Sequence, residues 1–277
     1  MSDKPLMESP VPSSGSPSGS FDTSSHDRFY EYYAAESATP ATERRFRVLR
    51  DHLLAAYDRP AGTKLDMLDI GCGAGTFSIL WAELGHRVTG IDINEPLIDL
   101  ARKRAHEAGH DIAFKVASAT ELPFPDRSFD VVCSPELLEH VQNWTQCIAE
   151  LTRVLRPGGM LYLSTTNRLC PKQQEFNLPL YSWYPPVLQR RYVRLAMTTR
   201  PELANYAKYP AFNWFTFFGL RRYLRGRGFT RCFDRFDLAG RSAGLKGMVF
   251  SAIRGIPGLR IVAQVACPGT IIAAIKD

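Results

Sequence analysis

Between residues 65 and 164, short apolar runs alternate with segments of helical periodicity, and this alternation constrains the fold more than any other feature. Short apolar runs predict strands, and apolar residues that recur every three or four positions predict helices. The predicted strands span 65–70, 87–91, 112–116, 129–133 and 160–164. Strands separated by helices pair in parallel through right-handed crossovers, so we expect a doubly wound α/β sheet that is covered on both faces.

The rest of the chain divides by composition into a tail, an insertion and a C-terminal part. Residues 1–25 are mainly Ser, Pro and Gly, which predicts a disordered tail before a core over 26–166. The strand–helix pattern lapses over 167–213, which predicts a cap insertion over the ligand-binding edge of the sheet. The pattern resumes over 214–277, which we expect to complete the sheet. Its predicted elements are a helix at 215–226, a strand at 229–236, a helix at 246–263 broken near Pro257, and a strand at 270–275.

A glycine-rich loop, DIGCGAG over residues 69–75, follows the first predicted strand and opens a helix. Glycines allow a sharp turn and close approach of a ligand, although a G-x-G pattern alone also fits a plain tight turn. Asp92 ends the second strand 21 residues after Gly71, where a carboxylate can accept both hydroxyls of a ribose. Asp69 would repel the pyrophosphate of a dinucleotide and attract the sulfonium and ammonium of S-adenosylmethionine.

With these residues and further motifs, the chain resembles the class I S-adenosylmethionine-dependent methyltransferases. The motifs are LDIGCGAG over 68–75, GID over 90–92, ELPFPD over 121–126, SFDVV over 128–132 and LRPGG over 155–159. The resemblance implies a seven-stranded Rossmann-like sheet whose last strand is antiparallel. It also implies a methyltransferase activity with S-adenosyl-L-methionine as the cofactor.

The resemblance further assigns cofactor-binding roles position by position. Asp69 and the loop over 71–75 would hold the methionine moiety, Asp92 the ribose, and Ile93 would pack on the adenine. Many relatives have Asp where this chain has Ser118, and a hydroxyl accepts hydrogen bonds more weakly than a carboxylate. An ordinary strand-end loop is the alternative for residues 118–120. The full predicted set is Asp69, Gly71, Cys72, Gly73, Gly75, Asp92, Ile93, Ser118, Ala119, Thr120 and Ser134.

The segment after the fourth predicted strand carries the candidate catalytic residues Glu136, Glu139 and His140. Their i, i+3, i+4 spacing would place them on one face of a helix. His140 would then take a proton from an acceptor hydroxyl. Alternatively, the three side chains would hold a metal such as Mg²⁺, which lowers the pKa of a bound hydroxyl. A third interpretation is a helix start whose acidic residues suit the helix dipole.

This E-x-x-E-H pattern, together with LSTTNR over 163–168, is similar to the ubiquinone-biosynthesis O-methyltransferases. Two departures separate the chain from them. It has one more position before Glu136, and its insertion over 167–213 is unlike theirs. A quinone precursor, methylated on a hydroxyl oxygen, is therefore one candidate for a small apolar acceptor. Glycolipids and secondary metabolites are the alternatives.

The charge of the chain is concentrated at its C-terminal end. Residues 1–186 carry 18 Lys and Arg against 24 Asp and Glu, whereas residues 187–277 carry 16 against 4. Together with the aromatic residues of the insertion, this predicts either a lid over an apolar acceptor or a surface for peripheral contact with an anionic membrane. Burial of the aromatic residues within the insertion is the plain alternative. Nucleic acid is a disfavoured partner, because the D/N-P-P-Y/F signature expected of a base-modifying RNA methyltransferase is missing.

Two observations bear on the compartment. No apolar run reaches 18 residues, which argues against a membrane-spanning helix. The six cysteines are scattered and none forms a C-x-x-C pair, which argues against a zinc ribbon or a disulfide scaffold. We therefore expect a cytoplasmic protein, with peripheral membrane contact as the open alternative.

Overall fold

Seven strands form one sheet, which confirms the predicted seven-stranded Rossmann-like architecture. The computed structural model describes residues 35, 37–60, 62–204, 210–239 and 245–277, so the predicted tail over 1–25 lies outside the described residues. The strands are β1 (Asp66–Ile70), β2 (Arg87–Asp92), β3 (Ala113–Val116), β4 (Phe129–Pro135), β5 (Leu155–Thr166), β6 (Phe229–Phe233) and β7 (Gly269–Lys276). Their order in the sheet is β3-β2-β1-β4-β5-β7-β6.

Helices connect the strands on both sides of the sheet. Thr39 caps the first of them by accepting a hydrogen bond from the backbone N–H of Thr42, and Pro40 at the first helical position has its φ preset for a helix. The described helices are α1 (Pro40–Tyr57), α2 (Thr76–Ala82), α3 (Glu95–Glu107), α4 (Trp144–Val154), α5 (Pro186–Thr198), α6 (Phe217–Arg225), α7 (Arg235–Leu238), α8 (Leu245–Gly255) and α9 (Pro257–Val265).

The strand order creates a crevice at the carboxyl ends of β1 and β4. The chain runs from β1 outward through β2 to β3, then returns to the other side of β1 as β4. At this reversal the connections leave on opposite faces, and ligands of doubly wound sheets bind in the crevice that results. The last strand, β7, lies antiparallel between β5 and β6, as the resemblance implied.

The apolar core is split by the sheet into two layers. Successive strand residues face opposite sides, so Leu68 packs with α4 and α6 whereas Met67 packs with α1, α2 and α3. The first layer includes the fully buried Ile148 and Leu151 of α4. The second includes the fully buried Trp81 of α2. Burial on both faces fixes the register of β1 and with it the position of Asp69 at its end.

Several predicted boundaries differ from the structure; for example, the strand predicted over 229–236 ends at Phe233, and α7 begins at Arg235. The stretch Pro157–Gly159 was expected to precede the fifth strand, but β5 already begins at Leu155 and continues to Thr166. Its positive-φ residue, Gly158 at 73°, allows the chain to bend there without leaving the sheet. The segment 167–213 was expected to lack regular structure, yet it contains α5. The prediction missed this helix because its arginines interrupt the apolar spacing.

The predicted break in the helix near Pro257 is confirmed, since α8 and α9 are separate helices on either side of Ile256. No single helix among the described residues has the length and apolarity needed to cross a membrane. The segments Gly247–Gly255 and Gly258–Val265, bent by 119°, satisfy length and composition only as a pair.

Candidate active site

The glycine loop between β1 and α2 has the backbone geometry that its sequence predicted. Gly71, Gly73 and Gly75 adopt φ values of 70°, 51° and 81°, in the left-handed region that favours glycine. The backbone N–H groups of Gly71 and Cys72 both donate to the Ile91 carbonyl at 2.9 Å, which ties the loop to β2. A Cβ on Gly75 would lie 2.9 Å from the Cβ of Ala101 on α3. The loop therefore lies close to both β2 and α3 at the crevice.

Asp69 is a buried carboxylate at the mouth of this crevice. Its side chain is 1% exposed, and its Oδ2 accepts a hydrogen bond from the Ser78 hydroxyl at 2.7 Å. Its Oδ1 has no partner among the described residues. Burial raises the pKa of Asp69 to about 7, against the lowering effect of the Ser78 hydrogen bond. A buried acceptor without a donor costs free energy, so this oxygen has the capacity to accept a hydrogen bond from a ligand group.

Asp92, at the end of β2, is held by three hydrogen bonds. Its Oδ2 accepts from the Gly73 backbone at 3.0 Å, and its Oδ1 accepts from the backbone and side-chain nitrogens of Asn94 at 2.9 Å each. Burial raises the pKa of Asp92 above its usual range. Oδ2 accepts only the Gly73 hydrogen bond among these three, and a carboxylate oxygen can accept two, so Oδ2 can also accept from a ligand hydroxyl. A second hydroxyl would compete with the Asn94 side chain for Oδ1.

Ser134, near the end of β4, carries a second buried atom without a partner. Its side chain is fully buried, and its Oγ has no hydrogen-bond partner among the described residues. The preceding residue, Cys133, pairs with Asp69 across β1 and β4. Two polar atoms that lack protein partners thus lie at the same carboxyl edge, which is where the strand reversal predicts a ligand.

The predicted adenine side consists of Ile93 and residues 118–120. Ile93 follows Asp92 and is largely exposed, so an apolar surface is available at this edge. The Ala117 backbone N–H donates to the Asp92 carbonyl at 3.0 Å, which places the next residues beside β2. The Ser118 hydroxyl lies 2.8 Å from that of Thr120 and is exposed, whereas Ala119 is buried in the core. Their contact with an adenine stays a prediction.

The predicted helical face of Glu136, Glu139 and His140 is wrong. Residues 136–143 form turns, and α4 begins only at Trp144, where Asn143 caps it by accepting from the Gln146 backbone at 3.1 Å. Glu136 has a φ of 53°, and its backbone N–H donates to the Ser164 carbonyl at 2.8 Å, so the chain turns away from helical geometry immediately after β4. Within the described ranges, no group of three His, Cys, Asp or Glu side chains is arranged to hold a metal ion.

The three residues of this turn have different surroundings. The Glu136 side chain is exposed, and its Oε1 accepts from Arg45 of α1 at 3.0 Å. Glu139 is buried, and its Oε2 accepts from the Thr165 hydroxyl at 2.8 Å. Burial raises the pKa of Glu139 to about 8, and the charge of Glu175 from the segment 167–213 contributes to the rise. His140 is half-buried.

The turn over residues 136–143 lies against the glycine loop. This contact brings the candidate catalytic residues next to the candidate cofactor-binding residues. A Cβ on Gly71 would lie 3.3 Å from Leu137 Cδ1, so the loop backbone and the turn are close neighbours. A ligand held at Asp69 and the glycine loop therefore lies beside the residues that follow β4. The structure brings together the residues of β1, β2 and β4, but not the proposed metal ligands.

Sequence reasoning missed Asn213, which holds the turn in place. Its side-chain nitrogen donates to the carbonyls of Leu138 at 2.9 Å and Val141 at 2.7 Å. The backbone N–H groups of Phe212 and Asn213 donate to the Glu139 carbonyl at 3.0 and 3.3 Å. The one signal in the sequence is a polar residue between aromatic neighbours where the strand–helix pattern resumes. Ser78 and Thr165 were missed too, because each pairs with a carboxylate in a different element, 9 and 26 residues away.

Comparison with known proteins agrees with this geometry. Residues 68–163 match the family described as a methyltransferase domain. The ubiquinone biosynthesis O-methyltransferase of Caulobacter vibrioides is 37% identical over 130 residues, which are 45% of this chain and 52% of that protein. The 27-O-demethylrifamycin SV methyltransferase of Amycolatopsis mediterranei is 44% identical over 137 residues, 48% of each chain. The chain thus spans about half the length of the curated relatives it matches.

Among solved structures, a similar one is the S-adenosylmethionine-dependent methyltransferase of Mesorhizobium loti. It superposes with a TM-score of 0.53 at 21% sequence identity, and the match covers 80% of this chain and 95% of that one. At this identity the likeness establishes a common fold.

Proposed function

We propose that this chain, whose residues 68–163 match a methyltransferase domain, is a class I S-adenosylmethionine-dependent methyltransferase that transfers the methyl group of that cofactor to a hydroxyl oxygen of a small apolar acceptor. The observation that carries the proposal is the unpartnered Oδ1 of Asp69. A buried anionic oxygen beside a glycine loop suits a cationic ligand and opposes a phosphate. The relatives named O-methyltransferases support oxygen as the methylated atom.

The residues present fit S-adenosylmethionine. Asp69 and the loop of Gly71, Cys72, Gly73 and Gly75 would hold the methionine moiety, and the free position on Asp92 would accept a ribose hydroxyl. The exposed side chain of Ile93 would pack on the adenine, beside Ser118, Ala119 and Thr120. The buried Ser134 hydroxyl, which lacks a protein partner, would hydrogen-bond the cofactor from the β4 side. When bound, the cofactor supplies a methyl group on a sulfonium that is already a good leaving group.

The residues of the chain therefore have three tasks: to align the acceptor with the methyl group, to exclude water and to take a proton. Alignment within about 3 Å supplies much of the rate enhancement. A hydroxyl must also lose its proton, and a base with a pKa near the working pH is best suited to accept it. We assign this task to His140. The neighbouring Glu139 has a raised pKa, which keeps its carboxyl mostly protonated at pH 7. Glu136 is exposed and paired with Arg45, so it would contact the acceptor at the solvent-facing side of the site.

The nature of the acceptor is part of this proposal. A quinone precursor is supported by the names of several relatives, and a secondary metabolite by the rifamycin relative. Both classes carry hydroxyl groups on apolar ring systems. We favour the quinone-precursor type, because the E-x-x-E-H and LSTTNR segments of this chain also resemble those of that group of enzymes.

The test is methyl transfer from labelled S-adenosylmethionine to a catechol with a polyprenyl side chain. The wild-type protein is expected to label a hydroxyl oxygen. His140→Ala should lower kcat by about 100-fold or more, the usual contribution of a general base, while the Kd of the cofactor stays within about twofold. His106→Ala, an exposed histidine on α3, is the matched control and should leave kcat unchanged.

Two results would count against this assignment. Wild-type kcat in His140→Ala would remove His140 as the base. Transfer only to nitrogen or carbon acceptors, with none to any hydroxyl, would overturn the choice of oxygen and leave the methyltransferase activity standing.

The affinity for S-adenosylmethionine is expected to depend on pH through Asp69. Since its pKa is about 7 in the free protein, the carboxyl is neutral at lower pH and its attraction for a cation is lost. The Kd should therefore rise by up to about tenfold per pH unit below pH 7 and be constant above it. Binding near pH 6.5 should release a proton, which calorimetry in buffers of different ionisation enthalpy measures.

Asp69→Asn is the control for this pH dependence, because it keeps the shape of the side chain and removes its charge. This variant should bind the cofactor weakly with a nearly constant Kd between pH 5 and 8. A wild-type Kd that does not change over the same range would show that Asp69 does not face the cationic part of the ligand.

A further inference from the structure

One face of the cap segment, residues 167–213, displays apolar and arginine side chains side by side, and we propose that it docks onto an anionic lipid bilayer. This cap face consists of Trp183, Val187, Leu188, Arg190, Arg191 and Arg194. All six side chains are exposed, and they lie within twelve consecutive residues that include most of α5. The docking itself is independent of the proposed reaction.

The apolar members of the cap face are unusually exposed for their size. Val187 is 74% exposed, Trp183 54% and Leu188 40%. Trp183 is nevertheless held in place, because its indole nitrogen donates to the Leu169 carbonyl at 3.1 Å. Grouped exposed apolar residues mark an interaction surface, and tryptophan is enriched where protein meets the membrane–water interface.

The arginines of the cap face form no ion pair with any described residue. Elsewhere the described arginines are often paired, as Arg47 is with Glu83 and Arg153 with Glu150. Residues 167–204 carry six Arg and Lys against two Asp and Glu, so the local charge is positive. Unpaired positive charge beside apolar side chains is complementary to a surface of anionic lipid.

The fold of α5 separates this outer face from an inner one. Val187, Arg190, Arg191 and Arg194 follow one another at the i, i+3, i+4, i+7 spacing of a single helical face. On the inner side, Ala196 is buried with Tyr181 in a small apolar cluster of the cap. The helix therefore already uses one face for packing and keeps a second, basic and partly apolar face at the surface.

A bilayer fits the cap face better than two other partners. A nucleic acid would use the arginines, but the aliphatic side chains of Val187 and Leu188 would gain nothing from phosphates. A second copy of the chain would bring two arginine-rich faces together, which like-charge repulsion opposes. An anionic bilayer uses both features at once, because arginines meet the headgroups while the apolar side chains enter the interface.

The cap face is connected to the candidate catalytic turn, so docking would bring the active site close to the membrane; this consequence rests on the proposed function. The cap segment reaches the turn that holds Glu139 through the hydrogen bonds of Phe212 and Asn213. An acceptor with a lipid-like tail is dissolved in the membrane, so the docked enzyme would meet this acceptor at the membrane surface.

Vesicle flotation tests the docking directly. The wild-type protein should float with vesicles of phosphatidylcholine and phosphatidylglycerol but not with phosphatidylcholine alone. The triple variant Arg190→Gln, Arg191→Gln and Arg194→Gln should bind the anionic vesicles about 100-fold more weakly, at about fivefold for each arginine. The matched control removes three other exposed arginines, Arg44→Gln, Arg222→Gln and Arg225→Gln, and should retain most of the binding.

A second variant tests the apolar contribution. Val187→Asp places an acidic residue in the first turn of α5, where it suits the helix dipole, and should weaken binding about tenfold or more. Val48→Asp on α1 is its control and should bind as the wild type does.

Several results would overturn the proposal. The first is that the wild type does not bind anionic vesicles, and the second is that the arginine control variant loses as much vesicle binding as the triple variant. The third is that the wild type binds RNA but not vesicles and that the triple variant loses this RNA binding. The fourth is that the wild type is a dimer that Val187→Asp dissociates. The methyl-transfer assay with a short-chain catechol in detergent-free buffer is run on the same variants. Normal methyl transfer by these variants, together with no effect on vesicle binding, would refute the docking proposal while leaving the proposed function intact.

Discussion

Replacing Asp92 with alanine is expected to weaken the binding of S-adenosylmethionine by at least about 100-fold, because this side chain orders the glycine loop and, in the proposed function, also binds the ribose. Its Oδ2 accepts from the backbone of Gly73 and keeps one position for a ribose hydroxyl. Each hydrogen bond to a charged group contributes about 1.5–3 kcal/mol. Loss of both the ligand contact and the loop contact therefore gives an effect of this size, which calorimetry measures directly.

Two further variants define the cause. Asp92→Asn keeps the shape but exchanges one acceptor for a donor, and should recover only part of the affinity. Asp99→Ala on α3 removes an exposed carboxylate that pairs with Arg102, and should bind the cofactor normally. Thermal unfolding of all three should remain cooperative. Cofactor affinity unchanged in Asp92→Ala would refute the ribose assignment.

The substitution Gly90→Ala is expected to destabilise the protein by about 3 kcal/mol, near the upper end of what overpacking costs. Gly90 lies inside β2, and a Cβ there would come within 2.6 Å of the Phe114 ring and 3.0 Å of the Cys72 sulfur. Both neighbours are buried, so neither can move into solvent. Chemical denaturation should show a lower midpoint with an unchanged m-value.

A control and a rescue make this prediction specific. Gly258→Ala in α9 has open space around its Cβ and should be neutral or stabilise the helix by about 0.5–1 kcal/mol. Combining Gly90→Ala with Phe114→Leu should recover part of the lost stability, since the smaller side chain frees the space. Additive losses in the double variant would show that the clash with Phe114 is not the cause.

The sequence was sufficient to predict the sheet and the placement of Asp69 and Asp92 at its carboxyl edge, because both depend on local pattern. Asp69 and Asp92 each end an apolar strand, and the ends of parallel strands meet at one edge. The same local reasoning failed after β4. The spacing of Glu136, Glu139 and His140 suits a helix, but the chain there is held in turns by hydrogen bonds from Glu136 to β5 and from Asn213.

Contacts between distant segments account for most of what the sequence did not reveal. Asn213 lies 75 residues from Leu138, and Thr165 lies 26 residues from Glu139. No periodicity reports such pairs, since each side chain alone is an ordinary polar residue. The raised pKa of Glu139 also comes mainly from burial in the assembled fold, with smaller contributions from the charges of Glu175 and Glu136.

The position of β7 has a consequence for the order in which the chain can fold during synthesis. This strand pairs with β5 on one side and β6 on the other, yet it follows both in the sequence. The half of the sheet from β3 to β5 can assemble while the ribosome is still translating residues 167–268. β6, in contrast, has no neighbour to pair with until β7 has emerged from the exit tunnel. The part of the sheet that holds Asp69 and Asp92 can thus form early, whereas the edge that contains β6 is completed only after β7 has emerged.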